Sequence, residues 1–199
     1  MIFIGQVIHR KGLDLLLQAM APIFADFPDV HLTIIGGGSS LQQLQSQTRE
    51  LNITNYVHFE GVISSEKVFE RLSRADLLVL PSRWDGWGMV VNEALSVGVP
   101  VIVSSQCGAS DLVESGINGY IFYSGNVEDL RRCIVEFVNK RSEWGKFRAK
   151  AIETGKKISA EAVAPYLIRC LRHMMGLEDE RPTPPWIPVY NSVELGEKG

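Results

Sequence analysis

Six short apolar runs punctuate the chain: Ile2–Gly5, His31–Gly36, Tyr56–Gly61, Leu77–Pro81, Pro100–Ser104 and Gly119–Tyr123. Most are apolar at consecutive rather than alternate positions, the pattern of strands buried on both faces. Between them lie segments of helical period, at Gly12–Phe27, Leu41–Leu51, Ser65–Arg74, Met89–Val97 and roughly Ala109–Ser115. Connections of this length are crossovers rather than hairpins, so the strands run parallel and the crossovers are right-handed. The expected architecture is α/β: a doubly wound, Rossmann-like parallel sheet of about six strands. Beyond Asn126 only helical patterns remain, ending near Met175. Prolines at 182, 184, 185 and 188 and an acidic balance then mark a tail, so the expected division is a domain over 1–176 and a tail over 177–199. The first strand begins at Ile2 with no lead-in, which points to a chain cut from a longer one or to a reading frame that starts late.

In such a sheet, ligands bind beyond the carboxyl ends of the strands. The loops expected there are "GQVIHRKG", "GGGSS", "GVISSE", "PSRWDGWG" and "SSQCGAS". Lys11 stands just before a helix start, where a cation opposes the helix macrodipole. An anion shared between Lys11 and the free N–H groups of that start relieves the conflict, although an exposed loop lysine beside Arg10 explains the segment as well. "GGGSS" lacks the spacing of the dinucleotide and Walker loops and reads first as a tight turn. "WDGWGMVVNEAL" carries more. Gly86 and Gly88 permit close backbone approach, and Met89 to Val91 supply the free N–H groups of a helix start. Asp85 precedes that start and Glu93 lies about one turn inside, so both carboxylates reach a ligand lying over the helix end. The plain alternatives are a capping Asp85 and a solvated Glu93. Neither explains the flanking Trp84 and Trp87.

Totals narrow the classes. At 199 residues, 45% hydrophobic and 22% charged, the composition is that of a soluble globular domain. The net charge of −3 does not fit a nucleic-acid platform. Cys107, Cys133 and Cys170 have no metal-ligand spacing and read as reduced thiols of a cytoplasmic protein. No apolar run approaches the roughly 18 residues of a membrane span. The segment Lys140–Lys157 holds seven Lys or Arg against two Glu. It reads first as a solvated helical face and second as a peripheral contact to an anionic membrane surface.

From Gly5 to Tyr123 the order of parts resembles the C-terminal, donor-binding half of GT-B-fold glycosyltransferases of family 4. That family shows a Gly-Arg-x(4)-Lys-Gly loop, a Gly-x-Gly after strand two, "V-x-F-x-G", "A-D-x-x-x-x-P-S", a Glu-x(7)-Glu pair, and "G-x-P-V-I" leading to "G-x-N-G". Here the corresponding stretches are "GQVIHRKG", "GGG", "VHFEG", "ADLLVLPS", Asp85 to Glu93, and "GVPVIVSSQCGASDLVESGINGYIF".

The resemblance implies a retaining transfer of sugar from a nucleotide-diphosphate sugar to an acceptor hydroxyl. It places Lys11 on the donor diphosphate and Glu93 on the ribose hydroxyls. Asp85, Gly86 and the backbone of Trp87, Gly88 and Met89 face the sugar and distal phosphate, and Val62 borders the base. It also implies a partner domain, a second Rossmann-like half bearing the acceptor site, for which this chain holds no candidate. Two departures stand out. Gln6 replaces the usual Arg and can donate a hydrogen bond but cannot neutralise charge; Arg10 is the nearby substitute. Asp85 replaces the first Glu and reaches one methylene less far. With no Asp-x-Asp motif, no metal or other cofactor is expected, and no histidine sits where a catalytic base is needed. The alternative to a half-enzyme is a module that binds a nucleotide or sugar phosphate without transferring anything; a nucleotide-sugar epimerase on the same fold is a third reading.

Overall fold

A computed structural model describes residues 1–186. Six parallel strands form one sheet in the order β3-β2-β1-β4-β5-β6. They are β1 (Ile2–Ile4), β2 (Leu32–Ile35), β3 (Val57–Gly61), β4 (Leu78–Leu80), β5 (Val101–Ser104) and β6 (Gly119–Phe122). Every position of β4 and β5 is buried. Successive side chains of a strand point to opposite faces, so the sheet is covered on both. β3, at the edge, buries only Val57 fully and exposes His58, as a strand with one free flank allows.

The helices are α1 (Leu13–Asp26), α2 (Leu41–Glu50), α3 (Ser65–Ser73), α4 (Met89–Ser96), α5 (Val127–Asn139), α6 (Trp144–Lys157) and α7 (Ala160–Met174). α1 buries eight of its side chains and packs against α2 and α5, while α4 packs against α3. The helix expected over Ala109–Ser115 is instead a 3-10 turn, Gly108–Leu112. The buried Asn118 accounts for the difference. Its amide donates to Leu112 O at 2.9 Å and its Oδ1 accepts from Glu114 N–H at 2.8 Å, satisfying groups a longer helix would have paired internally.

The chain divides into two compact units, 1–155 and 156–199, with the last residues of α6 leading from the first. In the second unit Ser159 caps α7, accepting from Ala162 N–H, and Arg169 and Arg172 pair with Glu178. Of the expected tail over 177–199, residues 187–199 lie outside the described residues. The basic stretch beginning at Lys140 is matched by local acids: Lys140 pairs with Glu136, Arg141 with Asp29, Lys146 with Glu143 and Lys150 with Glu153. Arg148 spends its guanidinium on the carbonyls of Ala75 and Ser73. Among the described residues no helix is long and apolar enough to cross a membrane.

Candidate functional site

The strand order reverses at β1, which pairs with β2 on one side and β4 on the other. Crossovers leave this point in opposite directions, so the loops after β1 and β4 part and leave a crevice at the carboxyl edge. A cavity of about 510 Å³ occupies it. The β1 loop contributes Gly5, Arg10 and Lys11, the β4 loop contributes Trp84 to Gly88, and α4 contributes Met89, Val90 and Glu93.

Local sequence explains how each loop is held. After β1 the chain makes a 3-10 turn, His9–Lys11, and enters α1 through Gly12 at φ 69°. A Cβ on Gly12 would lie 2.1 Å from the Pro81 carbonyl oxygen, so only glycine lets the two loops meet. Arg83 then locks them. Its N–H donates to Arg10 O at 2.8 Å, and its guanidinium donates to both oxygens of Asp14, in the first turn of α1, at 2.7 and 2.6 Å. Burial opposes ionisation of Asp14, but the two Arg83 bonds prevail and hold the carboxyl below its ordinary range.

The β4 loop is framed by its tryptophans. The Arg10 guanidinium lies 5.4 Å from the Trp84 ring and donates to Trp84 O at 2.9 Å. The Trp87 indole N–H donates to Asn92 on α4, and Trp87 O accepts from both Ala109 N–H and the Cys107 thiol at 2.8 Å. Burial pushes that thiol above its ordinary pKa, so it remains a donor. Gly88, at φ 91°, is the N-cap of α4 and brings no side chain to it. Asp85 therefore does not cap α4. A Cβ on Gly88 would lie 2.6 Å from Cys107 Sγ, which fixes glycine at this corner.

Seven of the nine residues expected from the sequence line this one cavity: Lys11, Asp85, Gly86, Trp87, Gly88, Met89 and Glu93. Gln6 and Val62 do not. Gln6 is exposed and Val62 is 82% exposed on the loop after β3. Lys11, expected on a ligand anion, meets the carboxylate of Asp85 with its ammonium, and Arg10 Nη1 lies 3.9 Å from the other oxygen. The Glu93 side chain forms no hydrogen bond or ion pair with another described residue. Two further residues shape the site beyond those expected. Arg10 is cavity wall rather than a mere substitute for Gln6, and Arg83 clamps the two loops, a cation signalled by its place directly after the buried "LPS" at the end of β4. A second hollow, about 360 Å³, shares Trp84, Asp85 and Gly86 with the first and is otherwise lined by Ser105 to Gly108, Ser110 and Asp111.

A family model for glycosyl transferases group 1 matches residues 1–158. The chain belongs to this family. It is 28% identical over 156 residues to an uncharacterized glycosyltransferase of Methanocaldococcus jannaschii, covering 78% of this chain and 39% of that protein. With the poly(glycerol-phosphate) alpha-glucosyltransferase of Bacillus subtilis it shares 25% identity over 181 residues, 90% of this chain and 27% of that one. The GDP-mannose-dependent alpha-(1-6)-phosphatidylinositol monomannoside mannosyltransferase of Mycolicibacterium smegmatis is 29% identical over 138 residues, 66% of this chain and 36% of its own. The chain thus spans well under half the length of these relatives. Among solved structures, Anabaena HepE in complex with UDP superposes with a TM-score of 0.77 at 21% identity, over 86% of this chain and 48% of that one. The isolated C-terminal domain of the group 1 glycosyl transferase LpcC from Francisella tularensis gives 0.73 at 17% identity, over 79% and 84%. The six-stranded sheet of this family member is the Rossmann-like C-terminal domain of a GT-B fold.

Proposed function

We propose that this chain is the donor-binding half of a retaining glycosyltransferase, one that transfers a hexosyl group from a nucleotide-diphosphate sugar to an acceptor hydroxyl. The observation that carries the reading is the convergence, at the topological switch point, of two cations, a helix N-terminus and a carboxylate with no partner among the described residues on one cavity. Lys11, Arg10 and the N-terminus of α4 face the developing charge of the leaving diphosphate. They supply that charge stabilisation from the protein itself, so donor binding is proposed to be independent of metal. Glu93, one turn into α4, accepts from the two ribose hydroxyls, and Asp85 and the 86–89 backbone lie on the side of the sugar. The acceptor and the remaining wall of the cleft belong to a second Rossmann-like domain facing this edge.

Saturation-transfer NMR of the 199-residue chain with UDP-glucose, UDP-N-acetylglucosamine and GDP-mannose, in the presence of EDTA, tests this directly. Ribose and base protons of at least one ligand should take up saturation, and Lys11→Ala should weaken the effect for that ligand while leaving the parent nucleoside nearly unchanged. Silence from every nucleotide with a folded protein contradicts the reading.

A further inference from the structure

The Lys11–Asp85 ion pair occupies the place where the donor diphosphate is proposed to bind. Its side chains are only 13% and 12% exposed. Arg10 Nη1 lies 3.9 Å from the other Asp85 oxygen and donates to Trp84 O. The loop position of Asp85 does not depend on its carboxylate. Its backbone N–H donates to Gln106 O at 2.9 Å and its carbonyl accepts from Gly108 N–H at 3.2 Å. No side chain caps α4, so the carboxylate has no structural duty at the helix either. Among the described residues it pairs only with the cations of the cavity, Lys11 directly and Arg10 at 3.9 Å.

We infer, on the strength of the donor-site reading above, that Asp85 is an internal competitor of the diphosphate and sets the preference for nucleotide sugar over free nucleoside diphosphate. A nucleoside diphosphate entering the cavity finds Lys11 taken. It must either share the lysine with a carboxylate of like charge or push that carboxylate onto Arg10 and the α4 N-terminus, the donors its own phosphates need. A nucleotide sugar brings donors of its own. Hydroxyls of the sugar satisfy the displaced carboxylate with charge-assisted bonds, and Lys11 and Arg10 pass together to the phosphates. Once the sugar has left, Asp85 loses those partners and reclaims Lys11, which weakens the hold on the remaining nucleoside diphosphate. The same residue thus discriminates at entry and assists release.

Calorimetric titration of the full chain with UDP, UDP-glucose, GDP and GDP-mannose tests this in wild type, Asp85→Asn, Lys11→Ala and the double variant. Asp85→Asn should bind the nucleoside diphosphate about tenfold tighter, the low end for a charge-assisted contact. The matching nucleotide sugar should gain nothing or weaken, so the preference collapses. On the Lys11→Ala background the same substitution should change diphosphate affinity by less than about threefold, as required of groups that act through each other. A purely structural role for Asp85 moves the melting temperature and leaves the preference alone; Asp85→Ser serves as the second variant if Asn disturbs folding. Unchanged or weaker diphosphate binding in a folded Asp85→Asn overturns the inference, as does an equal gain with and without Lys11. Failure of the underlying reading is distinct. If wild type binds none of the four ligands, the donor site itself is removed; if it binds them and binds them more weakly with Lys11→Ala while Asp85→Asn is neutral, only the competition is removed.

Discussion

The two ends of the cavity are built in opposite ways. At the β1 end the cations arrive already engaged, Lys11 by the carboxylate of Asp85 and Arg10 by the carbonyl and ring of Trp84. At the α4 end Glu93 stands with no partner among the described residues. The difference follows from burial. Lys11 and Asp85 are largely withdrawn from water, where an uncompensated charge is costly, so each needs the other. Glu93 is exposed and keeps its hydration until a ligand arrives. A ligand therefore exchanges one ion pair for another at the first end and makes new bonds at the second. Net affinity should depend more on the free carboxylate than on the paired lysine.

Glu93→Gln is the sharpest way to break this contrast. It keeps the shape but removes the charge and turns one acceptor into a donor, so ribonucleotide binding should fall by about 2–4 kcal/mol, scaling from single-bond values. Lys11→Ala comes next. Nucleoside diphosphate affinity should drop about 10- to 150-fold, with nucleoside affinity nearly unchanged, because the lost charge meets phosphate. Equal losses for nucleoside and diphosphate in the same titration would place Lys11 elsewhere. Gly88→Ala touches the corner shared by both ends. At φ 91° and 2.6 Å from Cys107 Sγ, the added Cβ should cost stability on the order of 1–3 kcal/mol in urea unfolding. An unchanged midpoint would mean that the corner yields easily.

The smallest effect is on pH. Because the folded pKa of Asp14 is depressed, the Asp14–Arg83 clamp contributes stability above the ordinary carboxylate pKa. That contribution is lost as pH falls from the ordinary value through the lowered one. Asp14→Asn should flatten the acid limb of a stability-versus-pH curve by a small amount, since the pair is partly solvated. An acid limb identical to wild type would show that the clamp adds no linked stability.

Much of this molecule was legible before its structure. Apolar runs located all six strands to within a residue or two at each end. Burial on both faces leaves no room for polar side chains in the middle of β4 and β5, and only the edge strand β3 carries a carboxylate or an imidazole. The loop "WDGWG" and Glu93 were legible for a related reason. Two carboxylates, one before the helix start and one a turn inside it, with flanking tryptophans are more than a cap and a tight turn need. Side-chain direction was not legible. Nothing in "GQVIHRKG" says that Gln6 faces solvent while Arg10 turns onto Trp84, because that choice is made by Arg83 and Trp84, more than 70 positions away. The Lys11–Asp85 pair was hidden for the same reason: it joins two loops that meet only once β1 and β4 lie side by side. The helix expected over Ala109–Ser115 failed on the buried amide of Asn118, whose contacts become visible only when the chain has closed back on itself.

The most direct test of the donor-site account sets ribose against deoxyribose. UDP and GDP, each with its 2′-deoxy analogue, are titrated against wild type and Glu93→Gln. Wild type should prefer the ribonucleotide by at least about tenfold, the worth of one charge-assisted hydrogen bond. That preference should shrink to about twofold or less in Glu93→Gln, the signature of a residue and a hydroxyl that act on each other. Equal binding of ribo and deoxyribo ligands by the wild-type protein would contradict the account, because Glu93 would then not hold the ribose.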